Sequence, residues 1–261
     1  MTQDTNFDDL SEHFKKRIYG SHKGAIRLAV LERDLKAQIP NYAQGGLSVL
    51  DIGAGFAQMG LKLAALGHDV CINDISQNML AIAKQHAVEQ GLTEQITWHH
   101  GAFQTLPSQP YDVVLCHAVL EWLDNPDELL SALSKFTHQN SIISLMFYNK
   151  DALILHNLIR GNFKKIKNND FKGMKGGLTP PNPLKPDEVE AKLHDLGFDV
   201  TYKSGIRVFS DYVGIKRGGN EDPDAVLAME LQYSNQQPYQ QMGRYVHFVL
   251  SARSCLQARI I

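Results

Sequence analysis

The chain has 261 residues, 43% of them hydrophobic and 21% charged, enough to bury a full core as one large domain or one with an embellishment. A net charge of −2 supplies no global pull toward nucleic acid or membrane, so any such affinity has to come from local patches. Cys71, Cys116 and Cys255 lack metal-ligand spacing, and no apolar run approaches the ~18 residues of a membrane span. The expectation is a soluble, unprocessed, cytoplasmic protein without a metal site.

Two helical patterns, about 7–17 and 22–38, precede the first strand candidate, Leu47–Ile52. Strands then alternate with helices: Asp69–Asn73, Gln95–His100, Tyr111–Cys116 and Ser141–Phe147, with helical patterns at 57–66, 76–90 and 126–137. Ser76 and Asn125 suit N-caps, and Gly67 and Gly91 suit C-terminal stops. Repeated βαβ units predict an α/β fold with a mostly parallel, doubly wound sheet. After residue 148 the pattern changes. A helix at 151–159 leads into a Lys-, Gly-, Asn- and Pro-rich stretch, 161–185, read as a long functional loop over a cleft. A helix at 187–196, a strand at 198–208, a non-core segment at 210–240 and the strand Tyr245–Leu250 complete the chain. The division is thus N-terminal helices in 1–40, a core in 47–147 and substrate-side insertions at 148–185 and 210–240, within one domain.

The run 47–55, LSVLDIGAG, takes a strand into a glycine turn with an acid, Asp51, two residues before Gly53. A second strand ends at Asp74, 23 positions after Asp51, the layout that holds an adenosine-containing cofactor at the carboxyl ends of adjacent strands. A third glycine for close pyrophosphate approach is missing, and an acid beside the turn repels pyrophosphate while accepting from a cationic amino group. S-adenosylmethionine is therefore favoured over NAD. Gly53 and Ala54 line the turn, and Asp74 suits the ribose hydroxyls, its alternative being an N-cap-like acid beside Ser76. Asp51 either accepts from the amino group or only braces the turn. His117, ending the fourth strand, faces the crevice where strand order reverses, unless it is a satisfied structural histidine.

The layout of a sixth strand, a helical insertion and a last strand near the C-terminus resembles the class I methyltransferase fold. That resemblance implies seven strands with the last inserted antiparallel. It also places Phe103 and Gln104 where such enzymes hold adenine, a ring face for stacking and an amide for its edge. Arg27, on a helix that lies over the cofactor in that fold, would clamp the methionine carboxylate.

Two basic stretches stand out. Residues 11–33 carry Lys15, Lys16, Arg17, Lys23, Arg27 and Arg33 against Glu12 and Glu32, a net of +4. Residues 161–177 carry five lysines against Asp170, again +4, with Phe163 and Phe171 between them. Such segregation suits a phosphate backbone with bases stacked on rings, or else a solvated lysine loop.

A closer resemblance follows from NFDD at 6–9, RIYG at 17–20, KG at 23–24, HAVLEW at 117–122, LMFYN at 145–149, GNF at 161–163, GIRVFSDY at 205–212 and GRYVH at 243–247. Together these resemble the bacterial tRNA 5-carboxymethoxyuridine methyltransferase family, which esterifies a modified uridine at the anticodon wobble position. Ala54 in place of a glycine and the make-up of the lysine loop depart from the family pattern. The resemblance implies tRNA as partner and cofactor contacts at Arg27, Gly53, Ala54, Asp74, Phe103, Gln104 and His117. A carboxylate acceptor is already ionised at neutral pH, so no catalytic acid or base is expected. A cation is needed to hold it: Arg207 is the candidate, with Tyr148 and Tyr212 as neighbours. The competing reading is a class I methyltransferase for a small metabolite, with 148–185 as its lid. A non-catalytic binding module is a third.

Overall fold

The computed structural model describes residues 21–171, 179–213 and 222–253. The expected helix at 7–17, the NFDD and RIYG stretches and parts of both basic stretches lie outside them. Seven strands form one sheet in the order β3-β2-β1-β4-β5-β7-β6. They are β1 (Ser48–Ile52), β2 (Asp69–Asp74), β3 (Ile96–His100), β4 (Tyr111–His117), β5 (Thr137–Tyr148), β6 (Phe198–Ile206) and β7 (Tyr245–Ala252). Neighbours are parallel except β7, which runs antiparallel to β5 and β6 on either side. Strand order reverses between β1 and β4, and the crevice at their carboxyl ends is where such sheets take ligands.

Both faces of the central strands are covered, so β1 and β4 are apolar on both sides. Alternation sends Val49, Val113 and Leu115 to a core that includes Ile26, Val30, Leu31 and Leu35 of helix α1 (His22–Gln38). The intervening Leu50, Ile52, Val114 and Cys116 enter the opposite core with Leu129, Leu133, Phe147 and Phe248. Ser76 caps its helix by accepting the Met79 N–H at 3.1 Å, and Gly67 and Gly91 end theirs at φ +87° and +70°.

Four segments differ from the sequence reading. The helical run at 126–137 is an α-helix only over Pro126–Ala132, then a 3₁₀ turn over Leu133–Phe136. Strand β5 begins at Thr137 instead of Ser141, because a register shift lets Thr137 pair with Tyr111 while the Ser141 hydroxyl donates to the Tyr111 carbonyl at 2.6 Å. Strand β6 stops at Ile206, since Arg207 adopts a left-handed φ of +61° and the next three N–H groups donate to Glu230. The segment read as non-core contains the helix Pro223–Tyr233, which buries Val226 against α1.

Candidate active site

At the carboxyl ends of β1, β2 and β4 a cavity is lined by Arg27, Asp51, Gly53, Ala54, Asp74, Phe103, His117 and Tyr245, among others. Its floor is shaped by the turn after β1. Gly53 has φ +61°, and a Cβ there would lie 2.6 Å from Val119 Cγ2, so only glycine suits. The Asp74 carboxylate ties this turn to the start of the next helix, accepting Gly55 N–H at 2.7 Å and Ser76 N–H at 2.8 Å. Just past β4, Ala118 sits at φ +59°, a conformation costing about 1–3 kcal/mol for a residue with a Cβ; such positions cluster at functional sites.

Electrostatics in the cavity are shaped by burial. Burial raises Asp51 to about 7; the Gly60 backbone N–H opposes this and the Asp74 charge adds to it. A cationic ligand group would restore its charge. Burial, then His247 and Arg27, hold His117 well below the ordinary imidazole value, so it is neutral at pH 7. Glu121 is fully buried, with no short hydrogen bond to either carboxyl oxygen. Its burial pushes it up to about 8, against weaker pulls from the backbone N–H groups of Glu121 and Tyr148 and from the Arg27 charge. Glu121 is therefore mostly protonated at neutral pH.

Next to the cavity lies a second cluster. Tyr245, on the cavity wall, packs edge to face on Tyr148 with ring centroids 5.5 Å apart. The Arg244 guanidinium lies over the other ring, 5.7 Å from the Tyr148 centroid. Asp211 accepts from Arg207, pairs with Arg244 at 3.1 Å and has Lys23 at 3.8 Å. Among the described residues, three cations thus share this one carboxylate, an excess of two positive charges. Despite burial, those cations, Arg207 first, hold Asp211 below the usual carboxylate range. Tyr212 reaches the Ala152 carbonyl at 3.5 Å and packs on His156.

Comparison with known proteins decides the family. Residues 49–140 match the model described as a methyltransferase domain. Curated tRNA 5-carboxymethoxyuridine methyltransferases from Escherichia coli O157:H7 and strain K12 are each 38% identical over 248 residues, 94% of this chain and 95% of theirs. The chain belongs to the tRNA 5-carboxymethoxyuridine methyltransferase family.

Solved structures carry the same fold at low identity. A magnesium protoporphyrin IX methyltransferase from Synechocystis PCC 6803 with bound SAH has a TM-score of 0.62 at 20% identity, over 95% of this chain and 96% of that one. A SAM-dependent methyltransferase from Geobacter sulfurreducens in complex with S-adenosyl-L-homocysteine has a TM-score of 0.54 at 19% identity, over 86% and 91%. Among the described residues no group of three or more His, Cys, Asp or Glu is placed to hold a metal ion, and no helix is long and apolar enough to cross a membrane.

In this family member the structure gathers six of the seven expected cofactor residues on one cavity: Arg27, Gly53, Ala54, Asp74, Phe103 and His117. Gln104 is not among them. It lies in the 3₁₀ turn Phe103–Thr105, where adjacent side chains diverge by roughly 120°, and it lines a neighbouring surface groove with Glu128 and Lys135, a groove that Phe103 also borders. Arg207, Tyr148 and Tyr212 meet in the second cluster. Arg33, part of a basic stretch in the sequence, turns inward to Asp34, Ser234 and the Leu231 carbonyl.

Sequence reasoning passed over three organising residues. Glu230 accepts the Val208, Phe209 and Ser210 N–H groups at 2.9, 3.2 and 2.9 Å, shaping the loop that carries Arg207 and Asp211. Asn149 donates to the Gln241 and Gly243 carbonyls and caps the helix Lys150–Ile159, joining β5 to the approach of β7. Gly243 has to be glycine, since a Cβ would lie 2.5 Å from the Ile206 nitrogen. The signal was present in LMFYN and GRYVH, whose Asn149 and Gly243 do structural work that local pattern does not disclose.

Proposed function

We propose that this chain transfers a methyl group from S-adenosylmethionine to the carboxylate of 5-carboxymethoxyuridine at the tRNA wobble position, giving the methyl ester. The observation that supports it best is the adjacency of two sites: the cavity at the strand ends shares Tyr245 with a cluster carrying excess positive charge. An anionic acceptor fits that cluster; a neutral phenol or amine gains nothing from it.

The cavity residues fit the cofactor chemically. Arg27 would hold the methionine carboxylate, Asp51 and His117 the ammonium group, Asp74 the ribose hydroxyls and Phe103 a face of the adenine. When bound, S-adenosylmethionine supplies an electrophilic methyl carbon and keeps the C–S electron pair as the new C–O bond forms. Arg207 and Arg244 hold the acceptor carboxylate, which competes with Asp211 for their guanidinium groups. That carboxylate arrives ionised, so no side chain has to remove a proton. Tyr148 and Tyr245 wall the passage between the sites and keep water from the reacting oxygen, leaving alignment as the main catalytic work. Glu121, mostly protonated nearby, adds little negative charge to repel the acceptor.

The test is methyl incorporation into tRNA from a strain lacking the gene. Nucleoside mass spectrometry should show the free acid accumulating in that strain and the ester restored by the purified protein with S-adenosylmethionine. An unchanged nucleoside profile defeats the proposal. Steep weakening of tRNA binding with rising salt separates it from the small-metabolite reading.

A further inference from the structure

Beneath the cavity an unbroken hydrogen-bonded line joins one helix and three strands. The Asp34 carboxylate on α1 accepts from His247 Nδ1 of β7 at 2.8 Å. His247 Nε2 lies 2.8 Å from the Ser144 hydroxyl of β5, and that oxygen lies 2.7 Å from His117 Nε2 of β4. Asp34, Ser144 and His247 are each 0% exposed, and His117 lines the cavity. The order resembles a hydrolytic triad, yet Ser144 is sealed in the core with both hydrogen-bonding directions used, so it attacks nothing.

Charge counting sets the protons. Asp34 accepts the Arg33 guanidinium through Nε at 2.9 Å and Nη2 at 2.6 Å, the Tyr202 hydroxyl at 3.0 Å and the Ser204 hydroxyl. Arg33 already neutralises Asp34, and a second buried cation at His247 would have no counter-charge. A neutral His247 that donates through Nδ1 must accept through Nε2, which takes the Ser144 hydroxyl proton. The Ser144 oxygen then accepts from His117 Nε2–H, leaving His117 Nδ1 as an acceptor.

We propose that Asp34, His247 and Ser144 are positioning residues that fix His117 as its Nε2–H tautomer, so that the cavity is offered an acceptor nitrogen for the cofactor's ammonium group. This rests on reading the cavity as the S-adenosylmethionine site. Arg27, close enough to His117 to act on its charge, marks the same end of the cavity for the methionine carboxylate, whose carbon also bears the ammonium. A hydrogen bond from an ammonium needs a lone pair; the other tautomer would present an N–H and repel it.

The experiment is nitrogen-15 spectroscopy of histidine-labelled full-length protein bound to S-adenosylhomocysteine, with affinities from calorimetry. In the wild type, His117 Nε2 should show a pyrrole-type and Nδ1 a pyridine-type shift. Ser144→Ala should mix the tautomers and weaken S-adenosylhomocysteine about tenfold, with kcat at saturating donor little changed. Ser144→Thr, which keeps the hydroxyl, should restore both readouts. A wild-type His117 carrying its proton on Nδ1 overturns the inference without any variant having to fold, as does an S144A protein with unchanged tautomer and affinity. Failure of the wild type to bind S-adenosylhomocysteine overturns the donor-site reading, and this inference with it.

Discussion

The proposed donor cavity and the cationic cluster beside it lie against each other but are built by different means. Asp51, Gly53, Gly55 and Asp74 come from the ends of two adjacent strands, and Asp74 grips backbone N–H groups that the sheet itself puts in place. The cluster around Asp211 instead draws Lys23, Tyr148, Arg207 and Arg244 from well-separated parts of the chain, held by Glu230 and Asn149 at a distance. A site made of sheet ends keeps its backbone frame when a remote contact is lost, even where a remote chain sets a proton, as at His117. One assembled from loops depends on its anchors.

The largest effect should come from the donor side. Asp74→Ala removes the carboxylate that accepts two backbone N–H groups, and with it the proposed ribose partner, so S-adenosylhomocysteine affinity should fall about a hundredfold or more by calorimetry. Binding of tRNA to the protein without cofactor should stay within about twofold; a matching loss of both would erase the distinction between the regions. Arg207→Ala should do the reverse. Methyl incorporation into tRNA should drop by about 2–3 kcal/mol in kcat/KM, with donor affinity unchanged, and equal activity would remove Arg207 from the acceptor site.

An anchor can be probed next. Glu230→Gln turns an amide N–H₂ toward backbone N–H donors and should cost about 1–3 kcal/mol in urea unfolding. Its kcat/KM for tRNA should fall several-fold while donor affinity holds, and a loss confined to the donor would show that Glu230 serves the wrong region. The gentlest probe is pH. Asp51 is raised to about 7, so it is protonated below that value and ionised above it. Since the ammonium needs the carboxylate, donor affinity should rise from pH 6 to pH 8, by at most about tenfold per unit below 7. Asp51→Asn should flatten that slope; a slope that persists assigns the titration to another group.

Much of the sheet was legible. The alternation Val49, Leu50, Asp51, Ile52 reads as a strand covered on both faces, and Ser76, Gly67 and Gly91 mark their helix ends by local chemistry alone. The β5 start and the end of β6 were not, because a register shift at Tyr111 and a carboxylate on a distant helix decide them. Gln104 shows the limit within a motif: Phe103 lines both the cavity and the neighbouring surface groove, whereas Gln104, one step round a 3₁₀ turn, lines the groove and not the cavity.

By itself the sequence determined the βαβ order, the glycine turn and the acids that close β1 and β2, since these follow from residue period and from backbone conformations that few side chains allow. The family could be read in stretches scattered from 6 to 247. Only the tertiary structure decided that Arg33 and Asp34 face the core, that Arg207, Arg244 and Lys23 converge on Asp211, and that His117 connects through Ser144 and His247 to Asp34. Those contacts join residues up to 213 positions apart, and no local pattern specifies which distant charge will complete a buried pair.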